Sequence, residues 1–179
     1  HVSVKNISAN ISLKALSQDS LNIHVKRISM AEKSGLTLKK LSFKAIGNKN
    51  NLRIDDFELL LPNSNIRIDS LKADFDNMMQ IKQISDINYM CDLSAKIVPS
   101  DVKPLIPALK NFNDTVNINA MLTNKNTIHS IRNLNIFSND KSVNLLLGGD
   151  LVLASDTANT NFDIDIKKIC LLYTSPSPR

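Results

Sequence analysis

The chain has 179 residues, enough to bury a core, and 42% hydrophobic with 22% charged residues is a globular rather than a disordered balance. Only four Gly, no Trp and 4% aromatics argue against an enzyme site, where Gly turns, aromatics and His usually gather. The net charge of +5 is spread along the chain without a basic run or Arg/aromatic pairing, so it excludes a nucleic-acid groove and reads as solvated strand faces.

In chain order, one template recurs: apolar, x, apolar, x, x, apolar, x, apolar. It is met by Val2-Val4-Ile7-Ala9, Ile23-Val25-Ile28-Met30, Leu36-Leu38-Leu41-Phe43, Leu52-Ile54-Phe57-Leu59 and Ile66-Ile68-Leu71-Ala73. Most copies alternate further, through Ile11 and Leu13, Ala45, Leu61 and Phe75. Period-2 alternation predicts a strand with one apolar face. The two-residue gap would turn the second half over, so a β-bulge or corner is expected at each polar pair. Those pairs are Lys5-Asn6, Lys26-Arg27, Lys39-Lys40, Asp55-Asp56 and Asp69-Ser70.

Turn chemistry separates the copies at Gly47-Asn48-Lys49-Asn50-Asn51 and Pro62-Asn63-Ser64-Asn65. Copies starting at residues 2, 23, 36, 52 and 66 are too irregular for a strict solenoid. They are also too close for the helical crossovers that parallel strands need, so an antiparallel meander is predicted.

Alternation continues through Ile87-Tyr89-Cys91-Leu93-Ala95-Ile97, Val116-Ile118-Ala120-Leu122, Leu134-Ile136, Val143-Leu145-Leu147, Leu151-Leu153 and Phe162-Ile164-Ile166. Turns are expected at Asn124-Lys125-Asn126, Ser138-Asn139-Asp140-Lys141 and Ser155-Asp156-Thr157, with a bulge or tight bend at Gly148-Gly149. Between Pro99 and Phe112 the pattern changes. Ser100 or Asp101 can N-cap a helix, Pro104 suits its first turn, and Leu105, Ile106, Leu109 and Phe112 share one face. One helix of two or three turns is predicted near 100–112, covering an edge or end of the sheet.

The tail Cys170-Leu171-Leu172-Tyr173-Thr174-Ser175-Pro176-Ser177-Pro178-Arg179 breaks the alternation and resembles a one-frame translation of a sequencing adaptor. The expected division is therefore 1–169 as part of a repetitive β-groove domain, with 170–179 an artefactual disordered tail and the natural chain continuing past 169. That leaves Cys91 as the lone cysteine and excludes an internal disulfide or a Cys-based metal site.

Other constellations do not assemble. His24 and His129 lack metal-ligand spacing. Asp55-Asp56 fills the corner that Lys39-Lys40 fills in the preceding copy, so it is a solvated bend rather than an acid/base pair. Asp163-Ile164-Asp165 lacks the Gly and Glu of a calcium loop. Asn6-Ile7-Ser8 and Asn10-Ile11-Ser12 match glycosylation sequons. Cys91, on an alternating apolar strand, reads as a small buried residue. No cofactor, metal or catalytic residue is assigned, and the chain reads as a non-enzyme.

A one-faced sheet must cover its apolar side. With one short helix available, it is expected to fold into a sandwich or to curl into an open trough suited to acyl chains. The run Ser34-Gly35-Leu36-Thr37-Leu38-Lys39-Lys40-Leu41-Ser42-Phe43 resembles the AsmA/TamB family of Gram-negative envelope proteins. So do Leu52-Arg53-Ile54-Asp55-Asp56-Phe57-Glu58-Leu59 and Leu61-Pro62-Asn63-Ser64. The segment from Pro99-Ser100-Asp101 to Pro107-Ala108-Leu109 is similar to the short helix that interrupts that family's strand arrays.

The resemblance implies a mainly β fold, an elongated, curled antiparallel meander forming a taco-like open groove. It implies a periplasmic location, with the parent protein anchored in the inner membrane before this segment and a C-terminal domain after it. The implied function is carriage of phospholipid between inner and outer membranes, with acyl chains as partners. The alternatives are a scaffold that assists outer-membrane assembly proteins through strand edges, and a structural or adhesin β-repeat. Under the first reading the lipid-lining residues are Leu38, Leu41, Phe43, Ile54, Phe57, Leu59, Ile68, Leu71 and Phe75.

Overall fold

A computed structural model describes residues 4–17, 20–32, 37–77, 80–82, 86–103, 113–125, 128–140, 142–152 and 161–171. The alternating segments form strands β1 (Val4–Ser17), β2 (Ser20–Glu32), β3 (Thr37–Gly47), β4 (Asn51–Leu60) and β5 (Asn65–Asp74). They continue as β6 (Asn88–Ile97), β7 (Val116–Lys125), β8 (Ile128–Ser138), β9 (Val143–Val152) and β10 (Asn161–Leu171). These strands make one antiparallel sheet in chain order, β1 through β10, so the fold is the predicted meander.

The polar pairs fall where the pattern puts them. Register shifts between neighbouring strands occur at Val4/Asn6, Val25/Ile28, Ile28/Met30 (opposite Leu41/Leu38), Ser42/Lys44 (opposite Glu58/Asp55) and Ile68/Leu71. Each one absorbs the extra residue of a polar pair, which keeps the flanking apolar side chains on one face. Between β4 and β5 two corners face each other, Asp55 opposite Ser70, and the ladder passes without a shift. Asp56 has φ 54°, a left-handed conformation that an Asp side chain tolerates better than a β-branched one.

Two expectations are corrected, the curl of the sheet and the capping residue of the short helix. The sheet is open, as expected, since β1 and β10 end the strand order without pairing, but it is uncurled rather than bent into a trough. No second sheet covers it among the described residues. The described helix, α1, spans only Pro99–Val102, and residues 104–112, which carry the predicted apolar face, lie outside the described residues. Val98 occupies the N-cap position without a side-chain hydrogen bond, and the Asp101 carboxylate is turned to another strand connection. Of the two forms expected at Gly148-Gly149 it is the bulge that occurs: β9 continues through the pair, and the extra residue of the register shift lies opposite on β8, between Ile131 and Leu134.

At the turns, Asn48 accepts hydrogen bonds from the backbone N–H groups of Asn50 (2.8 Å) and Asn51 (3.0 Å), closing the β3–β4 connection. The predicted turn at Ser155-Asp156-Thr157 lies outside the described residues, as do Leu36 and Asn126. β10 includes Cys170 and Leu171, paired with Asn144 and Val143, two residues past the expected boundary at 169. Residues 172–179 lie outside the described part.

Candidate functional site: an apolar sheet face

Cross-strand partners in an antiparallel sheet project to the same side, so the register fixes which residues share a face. One row runs Leu13, Ile23, Ala45, Ile54, Leu71, Cys91, Leu122, Ile131, Gly149, Ile164, from one edge of the sheet to the other. The next row out contains Phe57, Ile68, Leu93, Ala120, Leu134, Leu147 and Ile166. A third contains Ala9, Ile28, Leu41, Leu59, Ile66, Ala95, Ile118, Ile136, Leu145 and Ile169. None of these rows includes a charged residue.

Eight of the nine expected lining residues fall within this face on β3, β4 and β5. Ile54 pairs with Ala45 and Leu71, and Leu59 with Leu41 and Ile66. Phe57 pairs with Ile68, Phe43 with Val25, and Leu38 with Met30. The Phe43 and Phe57 rings stack across the β3–β4 bulge, centroids 6.4 Å apart and planes inclined by 25°. The ninth, Phe75, lies one residue beyond β5 and is buried, its N–H donating to the Asn50 carbonyl at 2.9 Å. Val25 and the small side chains Ala45, Ala73, Ala95 and Ala120 are buried on the sheet. Leu41, Ile54, Phe57, Leu59, Ile68 and Leu71 are half-buried, as befits a face without a second layer on it.

The opposite face is ionic. Glu58 receives Lys40 at 2.7 Å and Arg67 at 3.1 Å, and Lys44 reaches Asp56 at 2.7 Å. Hydrogen bonding from Lys40, then from Arg67, holds the Glu58 carboxyl below its ordinary range against the opposing effect of burial. Asp56 is held low in the same way by Lys44. Lys40, Asp56, Glu58 and Arg67 border a shallow hollow of about 300 Å³ with Ser42 and Asp69. The Asp55-Asp56 corner is thus the solvated bend expected, with Asp55 bound by its own strand neighbour Arg53 at 2.8 Å.

One polar cluster interrupts the apolar face. Tyr89 on β6, Asn124 on β7 and His129 on β8 form a single cross-strand row. The Tyr89 hydroxyl and His129 Nδ1 are 3.2 Å apart, and Asn124 Nδ2 donates to the Ile87 carbonyl at 2.6 Å. Asn124 is 2% exposed and His129 8%, and Asn124 Oδ1 and His129 Nε2 have no protein partner. Burial pushes the His129 pKa down and those of the Tyr89 hydroxyl and the neighbouring Cys91 thiol up. Tyr89 and His129 therefore favour their neutral forms near pH 7, beside an amide that carries no charge. Spacing weighs His129 only as a metal ligand. The signal for its burial is its phase, two residues before Ile131, just as Asn124 follows Leu122 by two.

The arrangement offers a broad dry surface backed by an ionic one, with no group of three or more His, Cys, Asp or Glu placed to hold a metal among the described residues. No helix of the described residues is long and apolar enough to cross a membrane. Comparison with protein-family models, with curated proteins and with solved structures returns no match.

Proposed function

We propose that this chain is a segment of a periplasmic envelope-biogenesis protein whose apolar sheet face carries phospholipid acyl chains between the inner and outer membranes. The observation that carries the reading is the extent of that face. Two rows without a charged residue cross all ten strands on one side of the Tyr89–Asn124–His129 row, and no second layer lies over them among the described residues. Moving an acyl chain along a protein requires a continuous dry surface and no reactive group, because the chain gains its favourable free energy wherever water is displaced. The short sequence phrases that resemble the AsmA/TamB family support the same reading, with the parent protein anchored in the inner membrane.

The test is photo-crosslinking in Gram-negative cells from a photoreactive amino acid at Leu59 or Leu71 in the parent protein. Phospholipid adducts are expected from both, and none from Arg53 or Lys72 on the ionic face. Adducts to protein alone from Leu59 and Leu71 would remove the lipid reading. They would favour the second one, a scaffold for outer-membrane protein assembly that works through strand pairing.

A further inference from the structure

The Tyr89–Asn124–His129 row borders the apolar rows and continues in apolar residues on either side, with Leu52 and Ala73 before it and Leu151 after it. Tyr89 and His129 stand on the two strands that flank β7, about 10 Å apart at the backbone. Their side chains nonetheless meet, the hydroxyl 3.2 Å from Nδ1 and the ring centroids 6.0 Å apart. They therefore join above Asn124 and cover it, which leaves it 2% exposed. Asn124 Oδ1 and His129 Nε2 are both buried, with no partner among the described residues. Buried polar atoms are ordinarily paired, because an unpaired one forfeits its hydration without return. We infer that this pair of atoms holds the free hydroxyl of a lipid whose apolar tail lies along β7.

The two atoms call for one group that both accepts and donates. With the Tyr89 hydroxyl donating to Nδ1, the imidazole proton sits on Nε2; the reverse tautomer would leave the hydroxyl proton unpaired as well. Nε2–H is then a donor and Asn124 Oδ1 an acceptor, on direct cross-strand partners. A hydroxyl oxygen accepts from the first and donates to the second, which an ester, an ether or a sulfate does not do. The surroundings disfavour a charged group. Burial keeps His129 neutral near pH 7 beside a phenol and an amide, and the adjoining apolar rows hold no charged residue. From Asn124 the same face of β7 continues through Leu122, Ala120 and Ile118, roughly 20 Å of apolar surface for the tail. Entry requires the Tyr89 ring to swing outward against the single hydrogen bond at its tip. The inference rests on the reading that this face takes acyl chains, and it narrows which lipid is held there.

Calorimetric titration of the full chain with decanol, decyl methyl ether and sodium decyl sulfate tests it, each kept below its self-association limit. The three probes share a tail, and the ether keeps an acceptor oxygen but has no proton to give Asn124. Decanol is expected to bind about three- to tenfold more tightly than the ether, the worth of one net hydrogen bond, and more tightly than the sulfate. Asn124→Leu should erase the difference between decanol and ether while both still bind, with circular dichroism checking its strand content. Should that variant fail to fold, His129→Phe, which removes the donor, takes its place with the same expectation. Equal binding of decanol and ether by the unaltered chain overturns the inference and leaves the acyl-chain reading standing. Binding of none of the probes removes both. A preference for decanol that persists in the variant, or tightest binding of the sulfate, overturns the assignment to this row.

Discussion

Asp101, in the first turn of α1, accepts hydrogen bonds from both the backbone N–H of Asn63, at 2.7 Å, and its side-chain amide, at 3.0 Å. The same carboxylate accepts from the Ser64 N–H at 2.7 Å, and Ser64 Oγ in turn accepts from the Val98 N–H at 2.8 Å. The β4–β5 turn is thereby fastened to the connection that follows β6, although 38 residues separate Asn63 from Asp101.

Removing that carboxylate leaves the N–H of the buried Ser64 without a partner, so Asp101→Ala is expected to lose about 2–3 kcal/mol in urea unfolding. Burial raises the Asp101 pKa, but the hydrogen bonds from Asn63 and Ser64 outweigh it and the folded value is lowered. The stabilisation is therefore complete above the unfolded value of about 3.9 and is lost as pH falls through the lower folded value. The acid limb of the stability profile should flatten in Asp101→Ala, and an unchanged limb would show that the carboxylate is not the group titrating.

The stacked rings of Phe43 and Phe57 bridge the β3–β4 bulge, where regular pairing is interrupted. Their coupling should be about 0.5–1.5 kcal/mol in a double-mutant cycle of Phe43→Leu and Phe57→Leu. Strictly additive losses would mean that each ring packs on its own strand neighbours instead.

Strand identity, strand order and the bulges are legible in the sequence because each depends on local polarity. Lys39-Lys40 and Asp55-Asp56 differ in charge yet both occupy corners, since only their position between apolar residues matters. The same alternation places eight of the nine expected lining residues on one face. Curvature is not legible, because the bend of a sheet depends on how the whole face packs and not on the alternation within any one strand. The role of Asp101 is hidden for a related reason. An acidic residue after Pro99 satisfies a helix-capping pattern, while its actual donors come from a turn 38 residues earlier. The burial of His129 follows from its phase along β8, which its spacing to other histidines does not reveal.

Gly149 has φ 155°, and a Cβ placed on it would run into the Asp163 carbonyl and come within 2.8 Å of the Ile164 Cα. Gly149→Ala should therefore cost about 1–3 kcal/mol and act on the outermost ladder. Amide hydrogen exchange should accelerate across β10 while β4, β5 and β6 keep their protection. Gly148→Ala is the control, since its Cβ meets the Ile131 carbonyl at the more tolerable 3.2 Å and should give the smaller loss. Equal losses from the two substitutions would contradict the assignment of strain to position 149.

His129 provides the pH-dependent element of the apolar face. Burial lowers its folded pKa, so the unfolded chain binds a proton more readily than the folded one as pH falls through about 6.5. Stability from this site is thus fully present above the unfolded value and declines as pH drops toward the lower folded one. His129→Gln, which cannot take up the proton, should lose that slope between about pH 7 and 5 when the urea midpoint is measured at each pH. Tyr89→Phe removes the hydroxyl that stands 3.2 Å from Nδ1 and should destabilise by about 1 kcal/mol while leaving the slope in place, because desolvation rather than the hydrogen bond causes the shift. A slope that survives in His129→Gln would assign the titration to another group.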